Sequence, residues 1–221
     1  MTKTATTDTE DTSVSTRTRR SAPQARGQVR REKLLSAAIE LLEKQDIAEI
    51  SLADVSAEAG IPVGSTYHFF PNLSSIYVEV LVRYSYEMAD FVLTVEPQGG
   101  EQWLQMMERF CDRAVEFYES HRAYEQIRLS GKASADIKFS SQRKSGADVV
   151  PQLIERIRQY FDLPEIPRQD RIFMNFLHII DSLYTYTYME FGCIDEQGAM
   201  EAKRAGINYL RSYFPEFLTP R

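Results

Sequence analysis

Apolar residues recur every three or four positions along most of this chain, the spacing of helices that bury one face. Between residues 28 and 45 the stripe is Leu34, Leu35, Ala38, Leu41 and Leu42. Ser51 then has the character of an N-cap, with Asp54 three residues on, and predicts a short helix over 52–59 stopped by Gly60. Ile61-Pro62 makes a turn, and a second short helix is predicted over 63–69. Asn72 caps a long helix over 73–95, whose apolar positions include Leu73, Ile76, Tyr77, Val80, Leu81, Tyr84, Met88 and Phe91. At 1.5 Å per residue that helix would span roughly 33 Å, enough to join two bodies. Further helices are expected over 101–119, 149–161, 168–191 and 195–214, with a polar, glycine-interrupted region over 121–147. No alternating run demands a strand, so the predicted class is all-α.

The most informative segment is SLADVSAEAGIPVGSTYHFFPN, two short helices joined by a tight turn containing glycine. Such a pair forms a helix-turn-helix, in which the second helix fits a DNA major groove and the first crosses the backbone. Val55, Ala59 and Ile61 would pack the two together. Gly64, Ser65, Thr66, Tyr67 and His68 would then face outward, where hydroxyls and an imidazole can meet phosphates or base edges. Tyr67, Phe69 and Phe70 could instead be core aromatics at helical spacing, and Phe70 fits that reading best.

Charge changes this picture less than its total suggests. The chain carries a net charge of -6. Residues 1–33, however, hold eight basic side chains against four acidic ones, a net of +4, which leaves -10 for the rest. A basic end on an acidic body suits a protein that meets a polyanion at one end only. Residues 1–25 are rich in Thr, Ser and charge and poor in bulky apolar groups, and are expected to be a disordered basic arm. Two cysteines, Cys111 and Cys193, do not make a disulfide framework and read as reduced thiols. No apolar run is long enough for a membrane span or a secretory signal, so a cytoplasmic protein is expected.

The segment resembles the DNA-binding domain of the TetR family of bacterial transcriptional regulators. The resemblance covers about residues 28–77 and rests on the turn AGIPVGS, the run TYHFFP and the pattern LADVSAEAG. It implies three parts: the arm at 1–25, a three-helix DNA-binding domain at 26–72, and a helical effector-binding and dimerisation domain at 73–221. It implies DNA contacts at Ser65, Thr66, Tyr67 and His68, a backbone approach at Ser51, and phosphate or minor-groove contacts from Arg26, Arg30 and the Arg17–Arg20 cluster. Two positions depart from the family pattern: Leu73 stands where a phosphate-binding lysine is common, and Gln45-Asp46 where a glycine often follows the first helix. The first shifts the expected affinity towards the arginine-rich arm.

The family's C-terminal body binds a small molecule and dimerises, and this body is compatible with both. Its aromatic residues suit a small hydrophobic or aromatic effector, with Trp103, Phe110, Tyr124, Phe173 and Tyr184 as candidate lining groups. His178, Asp181 and Thr185 share one helical stripe that would face either a pocket or a two-fold interface. Ala199, Ala202, Gly206, Tyr209 and Tyr213 would let a partner helix approach closely. The expected protein is thus a homodimeric, effector-responsive regulator of a palindromic DNA operator, a repressor by the family's usual output, needing no cofactor or metal. A Cys193–His178–Asp181 catalytic set is the rival enzyme reading, but no nucleophile, phosphate-loop or zinc motif accompanies it. A regulator that answers to a protein partner rather than a small molecule is the other alternative.

Overall fold

The computed structural model describes residues 22–221, with side chains for all of these except 22–24 and 142–148. Most of the arm expected at 1–25 lies outside the described residues; residues 22–25 already belong to the first helix. Three helices form the head: α1 (Ala22–Lys44), α2 (Leu52–Glu58) and α3 (Val63–Phe69). The long α4 (Leu73–Val92) leads into α5 (Trp103–Ser120), α6 (Arg122–Leu129), α7 (Ala135–Arg158), α8 (Gln169–Phe191) and α9 (Glu196–Arg211). Among the described residues there is no β-strand, and the expected all-α class holds. None of the described helices is long and apolar enough to cross a membrane.

The head closes on the stripe read from the sequence. Leu34, Leu35, Ala38 and Leu42 of α1 are buried with Val55, Ile61, Phe70, Ile76 and Val80. Ser51 and Asp54 form a reciprocal capping box: the Asp54 amide donates to Ser51 Oγ (3.2 Å) and the Ser51 amide to Asp54 Oδ2 (2.9 Å). Gly60, at φ +63°, takes the left-handed conformation that ends α2. Arg31 pins the head to α4. Its guanidinium donates to the Phe69 carbonyl and to Glu79, and lies 4.5 Å over the Phe70 ring.

Helix α4 ends at Val92, three residues short of the span the periodicity predicts, although Val95 beyond it is still buried. An apolar residue in a following loop can complete a helical stripe without being helical. The region 121–147 differs more. It holds α6 and the first half of α7, which runs through Gly146 and Pro151 to Arg158.

Helices α8 and α9 cross so closely that a Cβ at Gly206 would lie 2.7 Å from Ile180 Cγ2 and 2.8 Å from Phe176 Cε2. At Gly198 it would lie 2.3 Å from Thr187 Oγ1. Ala202 between them is fully buried. The small residues of α9 thus serve packing within the chain, which corrects the expectation that Ala202 and Gly206 admit a partner subunit. The C-terminal residues fold back over α5: Trp103 Nε1 donates to the Pro215 carbonyl at 2.9 Å, and its ring meets Phe214 edge-on.

Head and body are joined a second time through α6. Gln126 is 3% exposed, and its side chain meets the end of α1. Its Nε2 donates to the carbonyls of Leu42 (2.5 Å) and Gln45 (3.0 Å), and its Oε1 accepts from the Ile47 amide (2.9 Å). Glu43 in turn accepts from the Ala123 amide at the start of α6 (2.8 Å). Gln126→Ala strands three buried backbone groups and should cost about 3 kcal/mol of stability. Urea unfolding measures it; a loss under about 1 kcal/mol would mean that water replaces the side chain.

Candidate nucleic-acid interface and inner cavity

A buried contact between hydroxyls adds to the apolar packing that places α3 on α2. Thr66 is fully buried, its Oγ1 lying 2.9 Å from Ser56 Oγ, which is itself 2.7 Å from the Leu52 carbonyl. The pair ties α3 to α2, and Thr66 cannot reach a ligand outside. This corrects its expected place on the outer face: a helix only seven residues long that packs on α2 must turn one residue in three or four inward. Val63, Gly64, Tyr67 and His68 are exposed, with Tyr67 at 56%, and Ser65 is half-buried. Phe69 is half-buried and Phe70 is core. Gly64 has a helical backbone and open space where a Cβ would stand, so nothing inside the chain requires a glycine there.

Arg26 and Arg30 are exposed on the first turns of α1, and Gly27 between them faces the Phe69 ring. The start of α1 therefore lies beside the end of α3, and its basic groups flank the exposed face. Ser51 is exposed, but its hydroxyl is engaged by Asp54, whose carboxyl it holds below the usual range. Leu73 is half-buried against the core and offers no charge.

Inside the body lies a cavity of about 130 Å³. Helices α4 to α8 all contribute to its lining. Met88, Val92, Phe110, Met174, Leu177 and Ile180 make apolar walls; Tyr118, Arg128 and Asp181 form a polar end. Arg128 grips Asp181 through two bonds, Nε to Oδ1 at 3.0 Å and Nη2 to Oδ2 at 2.9 Å, and the Tyr118 hydroxyl donates to Oδ1 at 3.3 Å. Burial works against the Arg128 charge, but the Asp181 carboxylate and the Tyr118 and Tyr124 phenols beside it together outweigh burial and keep the guanidinium protonated. Burial pushes the phenols of Tyr118, Tyr124 and Tyr184 upward, so all three stay neutral donors.

Of the seven residues expected around an effector, Phe110, Tyr124, His178, Asp181 and Tyr184 line this cavity. Trp103 and Phe173 do not. Both are fully buried against Phe214, in the packing that seals the C-terminus onto the body. Asp181 faces α6 of its own chain. With its carboxylate held by Arg128, it is not part of a set with Cys193, which is exposed beyond the end of α8. Sequence reading missed Tyr118 and Arg128. The signal available was Tyr124 and Arg128 at i, i+4, but the polar region around them showed no period.

The comparisons with known proteins agree with this geometry. The family model for bacterial regulatory proteins of the tetR family matches residues 34–80, which contain the C-terminal part of α1, all of α2 and α3, and the start of α4. Residues 34–80 of the chain thus carry a TetR-family N-terminal domain. Proteins of this family are DNA-binding transcription regulators and not enzymes. A TetR-family regulator from Streptomyces coelicolor superposes with a TM-score of 0.63 at 18% identity, over 83% of this chain and 98% of that one. One from Rhodococcus sp. RHA1 gives 0.64 at 15%, over 84% and 98%. RolR in complex with resorcinol gives 0.62 at 12%, over 83% and 88%. At these identities the likeness establishes the fold. No curated protein sequence matches this chain.

Thr66→Val keeps the shape of the side chain and removes the hydroxyl pair. It should lower stability by about 1 kcal/mol in thermal unfolding, with operator affinity falling no further than that loss explains. Loss of DNA binding at unchanged stability would put Thr66 back on the outer face.

Proposed function

We propose that this chain is a TetR-family repressor that binds a palindromic operator as a homodimer and is released by a small hydrophobic or aromatic molecule. The carrying observation is an exposed recognition helix together with a separate inner cavity, the two linked by helices that belong to both. The working division is a DNA-binding head at 26–72, preceded by the arm at 1–25, and an effector and dimerisation body at 73–221.

In this reading α3 enters the major groove with Tyr67, His68, Ser65 and Gly64, while Arg26, Arg30 and the Ser51 end of α2 approach the backbone. Arg31 is engaged by Glu79 and the Phe70 ring and takes no part. Two heads reading one palindrome must present their α3 helices about 34 Å apart, one turn of duplex.

The cavity is lined by the C-terminal half of α4, at Ser85, Met88, Ala89 and Val92, while the N-terminal half of α4 is core of the head. It is also lined by Tyr124 and Arg128 of α6, whose Gln126 holds the end of α1. A ligand that parts these helices would tilt the head by both connections. It weakens operator binding only by as much as it prefers the tilted state, typically 1–3 kcal/mol. RolR, a protein of the same fold, has been crystallised with resorcinol, which supports a single-ring ligand within such a body.

The dimer surface is assigned to the outer side of α8 and α9. Tyr186 is 65% and Met189 63% exposed, with Phe191 and Met200 beside them in the chain's α8–α9 pair. Large apolar side chains left in water mark an interface.

Replacing both Tyr67 and His68 by Ala should weaken operator binding by about 1–3 kcal/mol, roughly tenfold to hundredfold, in a mobility-shift titration; unchanged affinity would remove α3 from the interface. Arg26→Ala and Arg30→Ala should each reduce the salt dependence of log K by about one unit, equally on operator and random duplex. Tyr186→Glu with Met189→Glu should turn the dimer into a folded monomer by sedimentation velocity, and a persisting dimer would place the seam elsewhere.

A further inference from the structure

The inner cavity also carries information about the chemical class of its ligand, an inference that rests on reading it as the effector site. At about 130 Å³ it is close to the roughly 150 Å³ apolar cavity that accommodates a single benzene ring. Its walls are apolar on α4, α5 and α8. Its polar end is a built one: a bidentate ion pair with a tyrosine hydroxyl added.

The state of that pair decides what more it can bind. Asp181 accepts three hydrogen bonds, two from Arg128 and one from Tyr118, of the roughly four its carboxylate can take. Arg128 uses Nε and Nη2 and, among the described residues, has no hydrogen-bond partner for Nη1. One acceptor position and one donor group therefore remain, on groups whose charges already cancel. A ligand carboxylate would be brought beside Asp181, where Arg128, the only arginine or lysine among the described lining residues, is already matched, and a ligand ammonium would meet the same obstacle in Arg128. Lys138, half-buried on α7, lies within electrostatic reach of the pair but is not among the lining residues. A hydroxyl can donate to the carboxylate or accept from the guanidinium without adding charge.

We infer that the cavity takes a neutral, single-ring aromatic alcohol of the phenol class, its ring among Met88, Phe110 and Leu177 and its hydroxyl at the Arg128–Asp181 pair. Phenol, benzene and benzoate are then three probes of one ring size that differ only in the group the polar end must meet.

Calorimetric titration of the full chain with each probe tests this, alongside operator binding at saturating probe. Phenol should bind at least tenfold more tightly than benzene or benzoate. Asp181→Asn leaves the Arg128 charge unmatched and should reverse the order so that benzoate binds best. Ala114→Leu, which fills the cavity from α5, should abolish binding of all three while the operator is still bound. Should Asp181→Asn not fold, the order of the probes on the unsubstituted protein still decides. A preference for benzoate, benzene binding as well as phenol, or no binding by any probe would overturn the inference. If phenol binds as expected but leaves operator affinity unchanged, the ligand class stands and the effector role fails.

Discussion

A glutamine side chain determines how the two halves of this molecule are joined. Gln126 is buried, and each of its polar atoms meets backbone at the point where α1 must stop. The last carbonyls of a helix lack partners within it, and a glycine in the left-handed conformation is a common way of turning the chain back to satisfy them. Here Gln45 and Asp46 stand where a glycine would be usual, and neither has a positive φ. The amide of Gln126 meets those carbonyls instead. The termination of the first helix of the head has thus been handed to a residue of the body, and neither is complete without the other.

That arrangement gives α6 two faces with different tasks. Ala123 and Gln126 hold α1, while Tyr124 and Arg128 look onto the cavity and reach α8 through Asp181. Buried polar contacts of this kind are costly to break singly, because each group left behind is unpaired in a medium of low dielectric. In the proposed mechanism, motion of α6 would therefore be transmitted to the head rather than absorbed. Helix α4 supplies the other connection, fastened in the head by Arg31 and by core packing at Ile76 and Val80. Helix α3 is tied to α2 in its turn by the Ser56–Thr66 hydroxyl pair.

The extent of most helices was legible in the chain because periodicity and caps are local properties. Residues 63–69 coincide with α3, and Ser51, Asn72 and Gly60 cap or stop the helices they were expected to. Helix α6 and the first half of α7 were not legible. Their apolar residues are few and interrupted, and their stability comes from contacts with distant elements, such as Gln126 with α1 and Ile137 in the core. Among the effector candidates, aromatic identity was a poor guide. Trp103 and Phe173 have the same composition signal as Phe110, yet they fill the seal around Phe214.

The sequence alone determined the all-helical class, the helix-turn-helix and the basic character of its leading end, since each follows from spacing, capping and charge within a few residues. Tertiary structure decided which way the side chains turn: Thr66 inward, Arg31 into the head, Gly206 towards α8 of its own chain, and Asp181 onto Arg128. Those outcomes depend on which elements become neighbours across 10 to 80 positions of chain. No local pattern carries that information.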